Sequence, residues 1–143
     1  MNKIRSFGIK ENKYTYIERK GVYGLEYKDD KVFLVKSPLG YFALGGGIEP
    51  GESEEECLRR EVIEEVGKFI EIGEFLEEVI EYVHVKGSEK SYKKIMKFYR
   101  IDLKENYDGK IEEDHELVEL SVEDAINKMF LKGQAYVVKK YAK

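Results

Sequence analysis

The stretch GGGIEPGESEEECLRREVIEEVG, Gly45 to Gly67, decides how the rest of this 143-residue chain is interpreted. Ser53 is a favourable helix N-cap, and Glu56, three positions later, completes a capping box. Gly67 supplies a natural helix end, because glycine adopts the left-handed conformation at low cost. The stretch therefore predicts a glycine-rich loop followed by a helix over about Glu54 to Val66.

Three carboxylates gather in the second half of this helix. At the helical period, Glu61, Glu64 and Glu65 share one side. Positions 52 to 65 contain seven glutamates against two arginines. Facing solvent, such like-charge pairs cost only about 0.2–0.5 kcal/mol each, and the acids would be an ordinary surface. Facing a cleft, they would take up protons or bind a hard divalent cation.

The glycine-rich loop favours the interpretation in which these acids face a cleft and not solvent. Four of the seven residues from Gly45 to Gly51 are glycine, which allows the backbone to approach a ligand closely. Magnesium takes carboxylate and carbonyl oxygens, with phosphate oxygens and water completing an octahedron. A glycine loop joined to a capped acidic helix therefore predicts a site for magnesium and a phosphorylated ligand.

Gly46, Glu52 and the run REVIEEVG from Arg60 to Gly67 resemble the Nudix box, GX5EX7REUXEEXGU, in which U is aliphatic. The match covers 23 residues and includes every chemical group of the pattern. The closing U is replaced by Lys68, and Leu44 stands where many members carry proline. Both departures concern packing around the box.

The resemblance implies an α/β fold of the α+β kind. This is the Nudix fold, an α/β/α sandwich with a central mixed sheet and a catalytic loop–helix–loop, formed as a single domain over residues 1–143. It also implies hydrolysis of a nucleoside diphosphate linked to another moiety, with Mg²⁺ as cofactor and Mn²⁺ as a possible substitute. Water would attack phosphorus in line while the metal neutralises phosphate charge.

Carried over position by position, the resemblance implies roles for the box residues. Glu64 and Glu65 match the metal-binding pair, and Glu61 matches a position that binds metal or helps to deprotonate water. Gly46 matches a glycine whose carbonyl can reach the metal. The ion pair that orients the catalytic helix is matched by Glu52 and Arg60.

Outside the box, a further acid is expected from the loop GKIEEDHELVEL. Glu116 is the candidate catalytic acid, as metal ligand or general base, with Glu113 as the alternative. His115 is a candidate base or substrate contact, weighed against an ordinary loop histidine. The loop also contains Glu112 and Asp114. Candidate substrate contacts are Lys36 and Arg100 for phosphate and Tyr82 for the base.

The counts of charged residues and cysteine restrict the classes of function that the chain can have. With 25 basic and 29 acidic residues, the net charge of −4 predicts no broad nucleic-acid binding. Cys57 is the only cysteine, so neither an intramolecular disulfide nor a cysteine-based zinc cluster can form. No apolar run suits a signal peptide or a membrane span, which predicts a cytoplasmic protein with no membrane partner. A monomer or a homodimer is expected.

Pattern also predicts the remaining elements. Two strands, YTYIERK and GVYGLEY, precede a turn at Asp29–Asp30 and a buried strand KVFLVKS. SPLGY and GGGIEPGES are expected to be loops. A long hairpin is predicted from residues 69–85 and 92–103, then a strand HELVELS. Ser121 should begin a helix whose apolar stripe contains Ala125, Ile126, Met129 and Phe130. The segment QAYVVKKYAK should form a last helix.

Three functional hypotheses remain open at this stage. The first is a metal-dependent Nudix pyrophosphohydrolase acting on a small nucleotide, by default a nucleoside triphosphate, natural or oxidised. The second is a nucleotide-binding or regulatory module that kept the fold and lost the chemistry. The third is an RNA 5′-end pyrophosphohydrolase. The intact acids favour the first, and the acidic balance weighs against the third.

Overall fold

The computed structural model of the protein describes residues 3–142, which form two sheets and three helices. The chain order is β1 (Arg5–Phe7), β2 (Tyr16–Leu25), β3 (Tyr27–Lys28), β4 (Lys31–Ser37), β5 (Gly40–Phe42), β6 (Leu44–Gly47), α1 (Glu54–Val66), β7 (Lys68–His84), β8 (Ser91–Asn106), β9 (Glu116–Ser121), α2 (Val122–Lys128) and α3 (Lys132–Tyr141).

The larger sheet is mixed. Its five strands run in the order β1-β7-β8-β2-β6. The β1–β7 and β2–β8 pairs are parallel, whereas β7–β8 and β2–β6 are antiparallel. The smaller sheet is antiparallel and places β4 between β9 and the short strands β3 and β5. The predicted α/β class with a central mixed sheet is confirmed.

The core has two apolar clusters, and strand β2 contributes to both because its side chains alternate between faces. Val22 packs with Leu58 and Val62 of α1. Leu25, from the opposite face, belongs to the cluster that contains Val137 of α3. Helices therefore cover both faces of the sheet, as the predicted sandwich requires. Helix α1 itself packs against β2, β6, β7 and β9.

The boundaries of α1 match the prediction at both ends. Ser53 Oγ accepts a hydrogen bond from the Glu56 backbone N–H at 3.1 Å, and Glu56 Oε1 accepts from the Ser53 N–H at 2.9 Å. This reciprocal pair is the predicted capping box. Gly67 ends the helix in the left-handed conformation with φ 66°, and its N–H donates to the Ile63 carbonyl. The two ends of the acidic helix are thus fixed by its own terminal residues.

Several sequence expectations need correction. The two strands predicted before Asp29 are the single strand β2, and its partner β6 was predicted to be loop. Glycine-rich segments are typical of turns, but the glycines of β6 pair directly with β2, with Gly46 opposite Val22. SPLGY likewise contains most of β5. Helix α2 ends at Lys128, so Phe130 leaves the predicted stripe and is 54% exposed.

The other predicted elements are present. The turn at Asp29–Asp30 joins β3 to β4, with Asp29 at φ 59°. The long hairpin is β7–β8, and Ser121 caps α2 by accepting from the Asp124 N–H at 3.1 Å. Helix α3 begins two residues before the predicted segment. Across residues 3–142, every helix is too short or too polar to cross a membrane.

Candidate active site

The glycine strand β6 and the helix α1 are in direct contact through two carboxylates. The Glu61 carboxylate occupies the space that a Cβ at Gly46 would need. Glu65 Oε1 accepts a hydrogen bond from the Gly45 N–H at 3.0 Å. Gly45 has φ 132°, and a Cβ there would collide with the Val22 carbonyl, so only glycine fits. The glycines therefore let both acids lie against the backbone of a sheet strand.

The three box acids differ in exposure. Glu65 is 8% exposed as a residue, whereas the Glu61 and Glu64 side chains are 18% and 46% exposed. Burial, followed by the charges of neighbouring acids, raises the pKa of Glu65 to about 8 despite its hydrogen bond from Gly45. Burial also raises the pKa of Glu61, with smaller contributions from Glu64 and Glu112. The cluster holds more negative charge than its surroundings neutralise.

Arg60 is the cation shared by this cluster. Its Nε donates to Glu52 Oε2 at 2.6 Å, and its Nη1 donates to Glu61 Oε1 at 2.9 Å and Glu64 Oε2 at 3.2 Å. Its Nη2 donates to the Gly47 carbonyl at 3.0 Å. The ion pair expected between Glu52 and Arg60 is therefore present, and it ties the start of the box to the helix. Its orienting role stays a prediction.

The carbonyl of Gly46, predicted to reach a metal, is directed at α1. It accepts a contact from the Cys57 thiol at 3.5 Å. A thiol is a weak donor, and a carbonyl oxygen has a second lone pair, so this contact leaves the oxygen able to accept another partner. Burial raises the pKa of Cys57 to about 12, which keeps the thiol protonated. The metal role of Gly46 stays a prediction.

The far side of the acidic cluster is closed by Glu112. The Tyr107 N–H donates to the Gly67 carbonyl and the Glu112 N–H donates to the Glu64 carbonyl, each at 2.8 Å. These bonds fold the loop after β8 back onto the end of α1. The charge of Glu112 raises the pKa of both Glu61 and Glu65. The backbone bond to Glu64 therefore places Glu112 beside the end of the helix that carries the box acids.

The neighbours of Glu112 form a second acidic group. His115 Nδ1 lies 2.9 Å from Glu112 Oε2 and 2.9 Å from Asp114 Oδ1. One possible ligand atom from each of these three residues lies within 4.8 Å of the others. Glu116, the acid chosen from sequence, instead lies at the start of β9 opposite Lys36. The signal that separates these acids is the backbone bond to Glu64, which the sequence does not display.

The predicted substrate contacts lie in other environments. Lys36 Nζ lies over the Tyr41 ring at 5.9 Å. Arg100 donates to Glu74 at 2.9 Å and lies over the Tyr27 ring. Tyr82 packs edge-on against Tyr16 at 5.2 Å. Among the described residues, none of these three makes a hydrogen bond or salt bridge with a box acid, so each stays a prediction without support from its contacts.

A hollow beside the glycine strand was missed by the sequence reasoning. It has a volume of about 170 Å³ and is lined by Arg19, Lys20, Gly21, Tyr23, Gly47, Tyr92, Lys94 and Met96. The Arg19 guanidinium lies over the Tyr92 ring at 5.3 Å. Tyr23 connects the hollow to the acids, because it pairs with Gly45, whose N–H donates to Glu65. Alternation along β2 was the available signal, since Arg19, Gly21 and Tyr23 share a face.

The family-model comparison agrees with this geometry. A NUDIX domain model matches residues 18–141, which is most of the chain. The chain belongs to the Nudix family. The acids, the glycine strand and the Glu52–Arg60 pair described above are thus the box region of a Nudix domain.

Curated relatives are similar to this Nudix domain over short stretches. The NAD-capped RNA hydrolase NudC of Pseudomonas syringae pv. tomato is 51% identical over 43 residues, which are 27% of this chain and 16% of that protein. The nucleoside triphosphatase NudI of Enterobacter sp. (strain 638) is 62% identical over 34 residues, which are 23% and 24% of the two chains. The matches thus span no more than a quarter of the relatives' lengths.

Solved structures share the Nudix fold over most of the chain. A NUDIX hydrolase from Nitrosomonas europaea has a TM-score of 0.68 at 20% identity, covering 87% of this chain and 88% of that one. The ORF135 protein of E. coli has a TM-score of 0.66 at 22% identity, with the same coverage. A MutT NUDIX hydrolase from Burkholderia pseudomallei has a TM-score of 0.67 at 18% identity, covering 88% and 99%. At these identities, the similarity establishes the fold.

The donor set of the Nudix box suits a hard divalent cation. Glu61, Glu64 and Glu65 supply carboxylate oxygens, the ligands that magnesium and manganese take in proteins. Burial, and then the charges of neighbouring acids, raise the pKa of Glu61 and Glu65, and a divalent cation would relieve that repulsion. The residues present therefore fit the predicted metal.

Proposed function

We propose that this chain, acting as a single Nudix domain, is a divalent-metal-dependent pyrophosphohydrolase that cleaves the diphosphate linkage of a nucleoside diphosphate derivative. Mg²⁺ is the proposed cofactor, and Mn²⁺ is a substitute. One observation carries the proposal: Glu61 and Glu65 are pressed against the glycine strand, partly or fully buried, with Arg60 shared among the acids. Family membership supports a pyrophosphohydrolase activity.

The residues of the box have distinct proposed roles. Glu61, Glu64 and Glu65 would hold the cation, and the Gly46 carbonyl is a further oxygen at the same place. When bound, the cation neutralises diphosphate charge and stabilises the leaving phosphate. Arg60 keeps Glu61 and Glu64 within hydrogen-bond distance of one guanidinium, at 2.9 and 3.2 Å. This pre-organisation holds the carboxylates together before any ligand arrives.

Two carboxylates are placed to accept a proton from the attacking water. Glu61 accepts a hydrogen bond from Arg60 at Oε1, which leaves its Oε2 as a proton acceptor beside the proposed cation. Glu112, on the loop bonded to Glu64, is exposed, so water reaches it freely. We assign proton acceptance to this pair, and we assign to His115 the positioning of Glu112, because its Nδ1 lies 2.9 Å from Glu112 Oε2.

The hollow beside β6 is the proposed place for the nucleoside part. It presents cationic side chains from Arg19, Lys20 and Lys94 and the ring of Tyr92, which suit phosphate and a planar base. Gly47 lines the hollow and its carbonyl holds Arg60, so a ligand there lies next to the acids. Similarity to a nucleoside triphosphatase over 34 residues supports a nucleoside triphosphate as the default substrate.

A nucleotide panel tests the proposal. Purified protein with Mg²⁺ or Mn²⁺ is incubated with nucleoside triphosphates, oxidised nucleotides, dinucleotide cofactors and nucleotide sugars, and released phosphate and pyrophosphate are measured. We expect metal-dependent turnover of at least one compound, and its loss in Glu65→Gln. Folded protein that binds a nucleotide yet hydrolyses none would instead identify a binding module.

A further inference from the structure

The first half of strand β2 is an open edge of the larger sheet. Over its whole length, from Tyr16 to Leu25, β2 pairs with β8 on one side. On its other side it pairs with β6 only from Gly21 to Gly24. Within the described residues 3–142, no strand covers that side of residues 16–20, which are here called the free edge.

A proline explains why β6 leaves β2 at this point. The Ile48 N–H donates to the Lys20 carbonyl at 2.9 Å, which continues the β2–β6 register by one more bond. Two residues later in the same register, Pro50 would lie opposite Glu18. Proline has no N–H to donate to the Glu18 carbonyl, and the chain turns at Pro50 and Gly51. The free edge is therefore left open by the loop that follows β6.

The free edge presents the backbone groups of alternate residues. The Lys20 carbonyl points towards the β6 side, and the backbone groups of successive residues in a strand point to opposite sides. The N–H and C=O of Glu18 and Tyr16 therefore point outward, whereas those of Ile17 and Arg19 point towards β8. Among the residues described, the outward groups of Glu18 have no hydrogen-bond partner. Such an edge is a template for another strand.

A hollow borders the free edge on each face of the sheet. Arg19 lines the hollow beside Gly47 that is described above. Glu18, whose side chain points to the opposite face, lines a second hollow of about 470 Å³ that also contains Val22 and Ile48. Successive side chains of an added strand would point alternately into the two hollows. Pockets for alternate side chains are what give selectivity when a peptide adds to a sheet edge.

The charges of the free edge favour an acidic partner. Residues 16–20 contain two cations, Arg19 and Lys20, and one acid. In the register with β8, Lys93 lies beside that acid. Among residues 3–142, none of these three cations forms a salt bridge. The acid is thus outnumbered, and an acidic strand would meet unpaired cations on both faces.

The same charges disfavour a second copy of this chain at the free edge. In an antiparallel pair of identical edges centred on Glu18, the two Glu18 side chains lie opposite each other. When the pair is centred on Arg19, the two Arg19 side chains do. Like charges directly opposite each other are destabilising. A pair centred on Ile17 joins only residues 16–18. An acidic strand from another protein meets none of these obstacles.

We propose that the free edge binds an extended acidic segment of a partner protein, which adds a strand antiparallel to β2 in line with β6. Its backbone bonds to Glu18 and Tyr16, its acidic side chains lie on the face of Arg19, and its apolar side chains lie on the face of Ile48. The inference is independent of the proposed catalysis, because it depends on the edge, its charges and the two hollows.

The binding test uses a peptide that matches both faces. A fluorescent, end-blocked peptide of about seven residues, in which glutamate and valine alternate, is titrated by anisotropy. Controls are a peptide in which lysine replaces glutamate, and one with the same composition but all its valines adjacent. We expect the alternating acidic peptide to bind at least about tenfold more tightly than either control. No binding up to about 1 mM, or equal binding of the acidic and the lysine peptide, overturns the inference.

Two N-methylated peptides test the backbone bonds. A residue directly opposite Glu18 lies on the same face and exchanges both backbone bonds with it. In the proposed orientation the valines occupy that face, so methylation of the valine nitrogens removes the donors to β2. Methylation of the glutamate nitrogens alters only N–H groups that point to solvent. We expect at least about a tenfold loss for the first peptide and little for the second. Equal losses, or the reverse order, overturn the inference.

A pair of variants tests the same bond from the side of the protein. Glu18→Pro and Glu18→Gln both remove the charge, but only proline removes the outward N–H. Because that N–H points away from β8, the β2–β8 ladder should survive, which circular dichroism checks. We expect Glu18→Pro to bind the acidic peptide at least about tenfold more weakly than Glu18→Gln. Equal binding by the two variants overturns the inference.

Amide hydrogen exchange in the wild type needs no variant. The bound peptide should slow exchange of the Glu18 and Tyr16 amides, whose N–H groups point outward, more than that of any residue of α3. Protection elsewhere with unchanged exchange at Glu18 overturns the inference. Sedimentation covers the remaining occupant: a wild-type dimer that becomes a monomer in Glu18→Pro would assign the free edge to a second copy and overturn it.

Discussion

The two halves of the Nudix region use glutamate in opposite electrostatic states. In the first half, Glu54 accepts hydrogen bonds from Lys97, at 2.8 Å, and from the Tyr99 hydroxyl, and the Lys97 bond is the largest cause of its lowered pKa. Glu52 accepts two bonds from Arg60, which lower its pKa to about 2. Each of these acids has a cation within hydrogen-bond distance.

In the second half, the acids outnumber the cations. Arg60 is shared by Glu61 and Glu64, and Glu65 receives only a backbone N–H, from Gly45. Burial raises the pKa of both Glu61 and Glu65. The contrast teaches that residue type alone does not separate neutralised acids from crowded ones. Their local balance of charge and burial does.

The largest expected effect is a loss of turnover on substitution of acids in the second half of the Nudix region. Glu65→Gln or Glu64→Gln removes a proposed metal ligand, and turnover with Mg²⁺ should fall by at least about 10²-fold while the fold is retained. Steady-state kinetics and circular dichroism measure the two results. Glu55→Gln is the matched control, because Glu55 lies on the same helix but is exposed and pairs with Arg59. Wild-type rates in Glu64→Gln and Glu65→Gln would contradict the metal role.

The two halves should also respond to pH in opposite directions. Glu65 has a pKa raised from 4.5 to about 8, so its contribution to stability is present below pH 4.5 and is lost as pH rises through about 8. Relative to Glu65→Gln, the metal-free wild type should lose a few kcal/mol of unfolding free energy across that window. Glu52, with its pKa lowered to about 2, contributes stability above pH 4.5 that is lost as pH falls through about 2.

Urea denaturation at a series of pH values measures this difference. Mg²⁺ should restore the lost stability of the wild type near pH 8, because cation binding favours the ionised carboxylates. The Gln variant should show little of either effect. If the difference in unfolding free energy between the wild type and Glu65→Gln did not change with pH, the proposed crowding of acids in the second half would be contradicted.

A smaller effect on activity is expected from the acids that follow β8. Glu112→Gln should lower activity by about tenfold, because the backbone bond from Glu112 to Glu64 places this acid beside the box. Glu116→Gln should change activity little, since Glu116 lies in β9 opposite Lys36. Kinetics at several Mg²⁺ concentrations compare the two variants. The reverse ranking would show that Glu116, and not Glu112, is the functional acid.

The smallest effect tests the first half alone. Glu54→Gln removes the charge partner of Lys97 and weakens the bond from Tyr99, which together attach the start of α1 to β8. Because this pair is partly exposed, we expect a loss of about 1 kcal/mol in unfolding free energy and little change in turnover. A large loss of activity with unchanged stability would show that this half also takes part in the chemistry.

Local signals in the sequence predicted the helix and the long hairpin well. The capping box at Ser53 and the stop at Gly67 are each decided by a few neighbouring residues, so the bounds of α1 could be read directly. Strand β6 could not be predicted in this way, because glycine is favoured in turns and rare in strands. Its glycines are needed for a tertiary reason, the approach of the Glu61 carboxylate to Gly46.

The parts of the proposed site that the sequence did not indicate depend on long-range pairing. Glu112 could not be singled out from its neighbours, since its backbone bond to Glu64 joins segments 48 positions apart. The hollow beside β6 brings Arg19 of β2 next to Tyr92 and Lys94 of β8 through a parallel strand pairing that no local sequence signal shows.

A Mn²⁺ complex gives the most direct test of the central claim. Crystals grown with Mn²⁺ and a non-hydrolysable nucleotide should show an anomalous peak within about 2.2 Å of carboxylate oxygens from Glu61, Glu64 or Glu65, beside the glycine strand. The peak should be absent in Glu65→Gln crystals or weaker there. A peak found only among Glu112, Asp114 and His115, or none at the box in the wild type, would contradict the account.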